Sequence, residues 1–200
     1  MLPARLRFFL AVTSLWVALF ALGLALDDRI NGPWLLSAST LTRLGALSLP
    51  CEQPEASVRS LCTLFLHSDV LHLSGNVLAL ALVVATWPLA RVRSLALVLT
   101  VGGLLAAQGS MVAYSQGISV GPSGALCAAV TAALVQPARL GHRLLWLGLA
   151  VAFMVGGALS GGDQGAHVGG LLVGLLLGSL HSLGPLALRR IAARQSAVRV

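Results

Sequence analysis

Lysine is missing from this chain, and charge of either sign is scarce: thirteen arginines and six acidic residues make charged positions only 10% of 200. Soluble domains carry about 25% charge, so a water-soluble globular protein is excluded. Cysteine is also sparse. None of the three stands in a CxxC or Cys/His spacing, so no metal site and no metal cofactor are expected. Cys51 and Cys62 share one connection and would pair only in an oxidising compartment, while Cys127 lies inside an apolar block. The net charge of +7 does not imply nucleic acid, because most of the arginines stand at the ends of apolar blocks, where such charges set membrane orientation.

What the chain has instead is apolar length. Hydrophobic residues make up 57% of it, in blocks at 8–26, 71–87, 94–108, 122–136, 144–159 and 166–183, each long enough to cross a bilayer or nearly so. Pro88, Pro137 and Pro185 follow three of the blocks and are expected to end them. The fold class expected is an all-α membrane protein, a bundle of six transmembrane helices forming one domain over residues 1–200. The first block also has the basic start and apolar run of a signal peptide, with Gly23-Leu24-Ala25 as a cleavage site. Its nineteen residues suit a span better. Residues 27–66 form a long connection holding Asp27, Asp28, Glu52 and Glu55. Its leucines and Trp34 suit short amphipathic helices at the interface.

Arginine placement orients the bundle. Ten of the thirteen lie in the N-terminus, the second and fourth connections and the C-terminus, all on one side if six helices alternate, and the six acidic residues lie on the other. The positive-inside rule puts both termini in the cytoplasm. The richness in arginine over lysine points to a bacterial source and so to the inner membrane.

Polar groups inside such helices need a reason, since lipid offers them no partner. His67, His72 and Asn76 stand at the head of the second helix, Ser123 at the head of the fourth and His167 at the head of the sixth. These three helices run in the same direction, so the five groups share one outer depth. His72 and Asn76, four apart, lie on one helix face. Gly124, Ala128 and Ala132 make a small-residue stripe on the fourth helix, and Ala166, Gly170, Gly174 and Gly178 make a matching one on the sixth. Such stripes let helix backbones approach closely, which would bring Ser123 and His167 within reach of each other, as a nucleophile and its base require.

These residues resemble the motifs of one family. Gly121-Pro122-Ser123-Gly124 resembles the GxSG of rhomboid intramembrane serine proteases, and His67 to Asn76 is similar to their HxxxxHxxxN. Ala166-His167-Val168-Gly169-Gly170-Leu171-Leu172-Val173-Gly174 resembles their AHxxGxxxG. The likeness covers roughly residues 59–180, in the right order and on the right helices.

By that resemblance Ser123 would be the nucleophile and His167 the general base. His72, Asn76 and the Ser123 N–H would stabilise the oxyanion. His67 would support the first loop, and Gly121, Gly124 and Gly170 would support the motifs. The implied partners are transmembrane protein substrates and the bilayer, and no cofactor is implied.

Two positions depart from the family pattern. Val58-Arg59 stands where members often carry Trp-Arg, and Pro122 has no N–H to offer an oxyanion. The short core also fits the bacterial rhombosortase subgroup, although no residue decides it. Two other readings of the same residues are a rhomboid-like protein that binds membrane clients without cutting them and a small transporter. The lack of an internal repeat and the placing of the polar groups at one rim weigh against the transporter.

Overall fold

The computed structural model describes residues 2–27, 34–50, 55–89 and 92–197, with side chains described up to Ser182. Cys51 lies outside the described residues, and so does the question of its pairing with Cys62. Arg91, Asp28 and Glu52 lie outside them as well. The elements are α1 (Ala4–Leu26), α2 (Ala38–Arg43), β1 (Leu47–Leu49), α3 (Glu55–Thr63), α4 (Val70–Thr86), α5 (Val92–Ala113), β2 (Gly117–Ser119), α6 (Ser123–Leu134), α7 (Leu140–Ser160) and α8 (Gln164–Ala197).

The chain is a multi-pass membrane protein. α1, α5, α7 and the Gln164–Ser182 part of α8 are long and apolar enough to cross a bilayer, and α4 and α6 are shorter apolar helices. The six apolar blocks therefore correspond to six helices, but not to six equal ones. Twelve residues make α6 about 18 Å long, well short of the roughly 30 Å hydrocarbon core. It need not meet lipid, because eleven of its twelve residues are buried. α6 is the axis of the bundle, enclosed by α4, α5, α7 and α8, while α1 packs outside on α4 and α5.

Three expectations are corrected. The fold is mostly helical but not all-α: β1 and β2 pair antiparallel, Leu47 opposite Ser119 and Leu49 opposite Gly117, at the end of the bundle where α6 begins. Pro185 does not end the last helix, which runs to Ala197. A proline removes one N–H and crowds one carbonyl, and the Leu, Ala and Arg residues that follow are strong helix formers that resume the helix. α5 extends past Gln108 to Ala113; within that last turn only Ser110 is buried, its hydroxyl donating to Asp163, while Val112 and Ala113 are exposed.

The first connection holds the two short helices and the strand. Arg59 ties it together, donating to the carbonyls of Thr42 (3.2 Å) and Ala46 (3.0 Å) and to Glu55 (3.1 Å). Its neighbour Val58 is exposed, so nothing replaces the aromatic partner seen in the family pattern, and the arginine anchors the loop through main-chain oxygens. α1 packs Trp16 and Phe20 into the core. At its start, Arg5 donates to the carbonyls of Trp87 (3.0 Å), Val84 and Leu89 (3.3 Å each) and Ala85 (3.4 Å), satisfying oxygens that the end of α4 leaves free.

Candidate active site

Ser123 is the first residue of α6. The turn before it is shaped by Gly121, whose φ of +101° is a left-handed conformation that only glycine adopts without strain. The Gly121 N–H is taken by the carbonyl of Thr63 at the end of α3 (2.9 Å), and Pro122 has none. Ser123 therefore owns the first main-chain N–H of this turn that faces no obligatory partner.

His167 sits in the first turn of α8, its N–H donating to the Asp163 carbonyl (3.1 Å). Its Nε2 lies 2.8 Å from Ser123 Oγ, both residues being buried. The stripes that bring them together are in contact. A Cβ on Gly170 would collide with the carbonyl of Gly124, one on Gly174 with the carbonyl of Ala128, and one on Gly178 would lie 2.6 Å from the carbonyl of Ala132. Gly124 faces Ala166 in the same way, its added Cβ meeting the Ala166 oxygen at 3.0 Å. Thr131 strengthens the seam by donating to the Leu171 carbonyl (2.9 Å). Among the described residues no carboxylate hydrogen-bonds Nδ1 of His167, and the Phe153 ring lies 5.8 Å from the imidazole.

His72 and Asn76 face the same turn from α4. A Cβ on Gly121 would approach Cε1 and Nε2 of His72 to 2.5 Å and Nδ2 of Asn76 to 3.6 Å. Asn76 is buried and its Nδ2 makes no hydrogen bond among the described residues. A buried, unpaired donor beside the turn that carries Ser123 is costly to maintain. Ser123, His167, His72 and Asn76 all line one cavity of about 960 Å³, whose other walls include apolar residues of α4 and α7 such as Leu78, Leu82, Leu149 and Phe153, with Ser68, Asp69 and Asp163 at its polar end.

His67 does not reach the cavity. It is buried behind His72, its ring in edge-to-face contact with Trp16 of α1 (5.2 Å) and with His72 (5.4 Å). Burial, helped by the neighbouring His72, pushes its pKa down to about 3, so it is neutral and braces α1 against the head of α4.

Three polar residues of the site are absent from the sequence-derived set. Asp163 holds the start of α8, accepting from the Ala166 N–H (2.9 Å) and from the Ser110 hydroxyl of α5 (2.5 Å). Asp69 caps α4 by accepting from the His72 N–H (2.8 Å), and Ser68 donates to Asp69 (2.8 Å) while lying 3.1 Å from His72 Nδ1. Burial favours the protonated acid at Asp69, but the His72 N–H and the Ser68 hydroxyl outweigh it and hold the pKa below the usual carboxylate value. An Asp immediately before an apolar helix is an N-cap signal, and Asp69 before Val70 and Asp163 before Gln164 could both have been found by it.

A family model for the rhomboid domain matches residues 54–183. The chain belongs to the rhomboid family. The match begins just before α3 and takes in every residue of the three motifs, leaving α1 and the start of the first connection outside it. It assigns the family as a whole and not the rhombosortase subgroup. Among curated proteins none matches this rhomboid. Membership makes it one of a family of serine intramembrane proteases, whose substrates in general are membrane proteins.

Proposed function

We propose that this rhomboid is an active intramembrane serine endopeptidase that cuts transmembrane segments near their outer end, with Ser123 as nucleophile and His167 as base. The observation that carries this reading is the 2.8 Å contact between Ser123 Oγ and His167 Nε2 on the wall of a cavity shared with His72 and Asn76.

Ser123 attacks the scissile carbonyl as its proton passes to His167 Nε2, giving a tetrahedral oxyanion. Collapse breaks the C–N bond as His167 returns the proton to the leaving amine. Water then attacks the acyl-enzyme with His167 again taking a proton, which releases the new carboxyl end and restores Ser123. The donors available to the oxyanion are the Ser123 N–H at the start of α6, the unpaired Nδ2 of Asn76 and, from the same face of α4, His72. Each such donor is typically worth about 2.7–4 kcal/mol of barrier. Since neither Gly121 nor Pro122 can supply a main-chain donor, α4 carries more of this load. The dyad works without a carboxylate on Nδ1, and the scheme needs no cofactor.

In this reading residues 1–200 act as one domain in a bacterial inner membrane. Both termini are cytoplasmic and Ser123 lies toward the outer side, as the arginine distribution supports. The test is cleavage of a transmembrane substrate by the full chain in proteoliposomes. Ser123→Ala and His167→Ala are each expected to lower the rate at least about a thousandfold. Fluorophosphonate labelling of Ser123 should vanish in His167→Ala. Parent-level cleavage by Ser123→Ala refutes the reading, as does a parent that binds such segments but never cuts them.

A further inference from the structure

His72 offers its two ring nitrogens to different neighbours. Nε2 is turned toward the Gly121 turn, where an added Cβ would come within 2.5 Å of it. Nδ1 lies 3.1 Å from the Ser68 hydroxyl. A neutral imidazole carries one N–H, so a ring that donates from Nε2 must accept at Nδ1. The only hydrogen Ser68 can offer has a rival claimant, because Asp69 Oδ2 lies 2.8 Å from the same oxygen and can only accept. With that hydrogen on Asp69, Nδ1 must donate to Ser68 and Nε2 is left bare. With it turned to Nδ1, Nε2 carries the N–H and faces the nucleophile turn.

We propose that Ser68 is a positioning residue whose single hydrogen decides which ring nitrogen of His72 is protonated, and so whether His72 can donate to the oxyanion. This rests on the protease reading above. The proton count does not change. One proton leaves Nδ1 for water and another reaches Nε2 from water, the co-substrate of hydrolysis, while the Ser68 O–H rotates from Asp69 to Nδ1. Only the hydroxyl has to move. The Ser68 carbonyl is held by the Leu36 N–H (2.8 Å), Leu35 bridges Asp69, and Asp69 Oδ1 keeps its hold on the His72 N–H (2.8 Å).

Two substitutions should act in opposite directions. Ser68→Ala removes the hydrogen that Nδ1 must accept; kcat is expected to fall about tenfold with KM unchanged, short of the 10²–10³ loss typical when an oxyanion donor is deleted outright. Ser68→Thr keeps the hydroxyl and should restore kcat. Asp69→Asn places an amide N–H against Ser68 Oγ and releases the Ser68 hydrogen to Nδ1, so kcat should equal or exceed that of the parent. Nitrogen-15 NMR of ring-labelled histidine, with His72 assigned by substitution, reads the tautomer in the resting protein. Asp69→Asn should raise the Nε2–H form, and Ser68→Ala should remove the hydrogen-bonded shift of Nδ1. A merely structural role would make both substitutions lower activity together.

The proposal is overturned by Ser68→Ala with kcat within twofold of the parent, by Asp69→Asn as impaired as Ser68→Ala, or by a His72 tautomer indifferent to both. If the parent never cleaves but the tautomer shifts as described, the protease reading fails and the Ser68 assignment stands. If the parent cleaves and the tautomer does not move, the reverse holds.

Discussion

α8 meets α6 and α7 faces α4 in opposite ways. Along α6 and α8 the backbones touch. Gly170, Gly174 and Gly178 leave no room for a Cβ, and Thr131 and Gln136 bridge to carbonyls of α8 at 2.9 Å each. Between α4 and α7 one hydrogen bond spans the gap, from Trp146 Nε1 to Thr86 Oγ1 (3.0 Å), at the end remote from Ser123. Nearer Ser123 the two helices are separated by the cavity. α7 buries only Trp146 and Ala150, and Gly148 and Gly156 have nothing within 4 Å of an added Cβ. Glycine therefore has two meanings in one chain. On α8 it is a contact surface that fixes the serine–histidine distance; on α7 Gly148 and Gly156 border open space, while Gly157 packs against the His167 ring.

Substitutions that treat the two seams alike should separate them. The largest effect is expected from Gly170→Leu, whose side chain must displace the Gly124 backbone. Overpacking of this kind costs 1–3 kcal/mol or more, so a strongly lowered thermal midpoint in detergent and loss of cleavage are expected.

Acid should act next, through the brace behind α4. His67 has a pKa of about 3 when folded against 6.5 unfolded. The unfolded chain therefore binds the extra proton as pH falls below 6.5, and stability declines from there toward pH 3 by on the order of a few kcal/mol. His67→Gln should flatten that decline in a series of midpoints measured against pH.

Thr86→Val deletes the hydrogen bond between α4 and α7 and leaves the Trp146 N–H unpaired. That should cost about 1–2 kcal/mol, read as a midpoint shift of a few degrees with Ser123 still labelled by a fluorophosphonate. The smallest effect belongs to Gly156→Ala. It adds a methyl in open space and removes a helix glycine, so a gain of up to about 1 kcal/mol is expected. A Gly156→Ala variant as damaged as Gly170→Leu would erase the contrast.

The seams differ in how much of them the sequence discloses. The α6–α8 contact was legible because small residues every fourth position form a pattern that packing must read, and the approach of Ser123 to His167 follows from it. The enclosure of α6 was not legible. Hydropathy counts how apolar a segment is and cannot distinguish lipid neighbours from protein ones, so a 12-residue axial helix and an exposed 21-residue one look alike. The β1–β2 pair escaped notice because three-residue strands carry no periodicity. Asp163, Ser68 and Asp69 stood in view, two of them inside a quoted motif. Their partners, Ser110 and the side of His72 facing away from Ser123, are set by tertiary packing that spacing does not encode.

α7 is held near both of its ends. One end is clasped to Thr86 through Trp146. The other is tied to α8 by the tight turn at Gly161, where the Gly162 N–H reaches the Gly157 carbonyl (2.7 Å), and by Gln164 Nε2 donating to the Met154 carbonyl (3.2 Å). A rod pinned at two points can twist about its length but cannot swing like a door. Under the proposed protease function, a chain entering between α4 and α7 would meet Leu149 and Phe153, which line the cavity in the middle of the span, and the opening would behave as a window with a fixed frame.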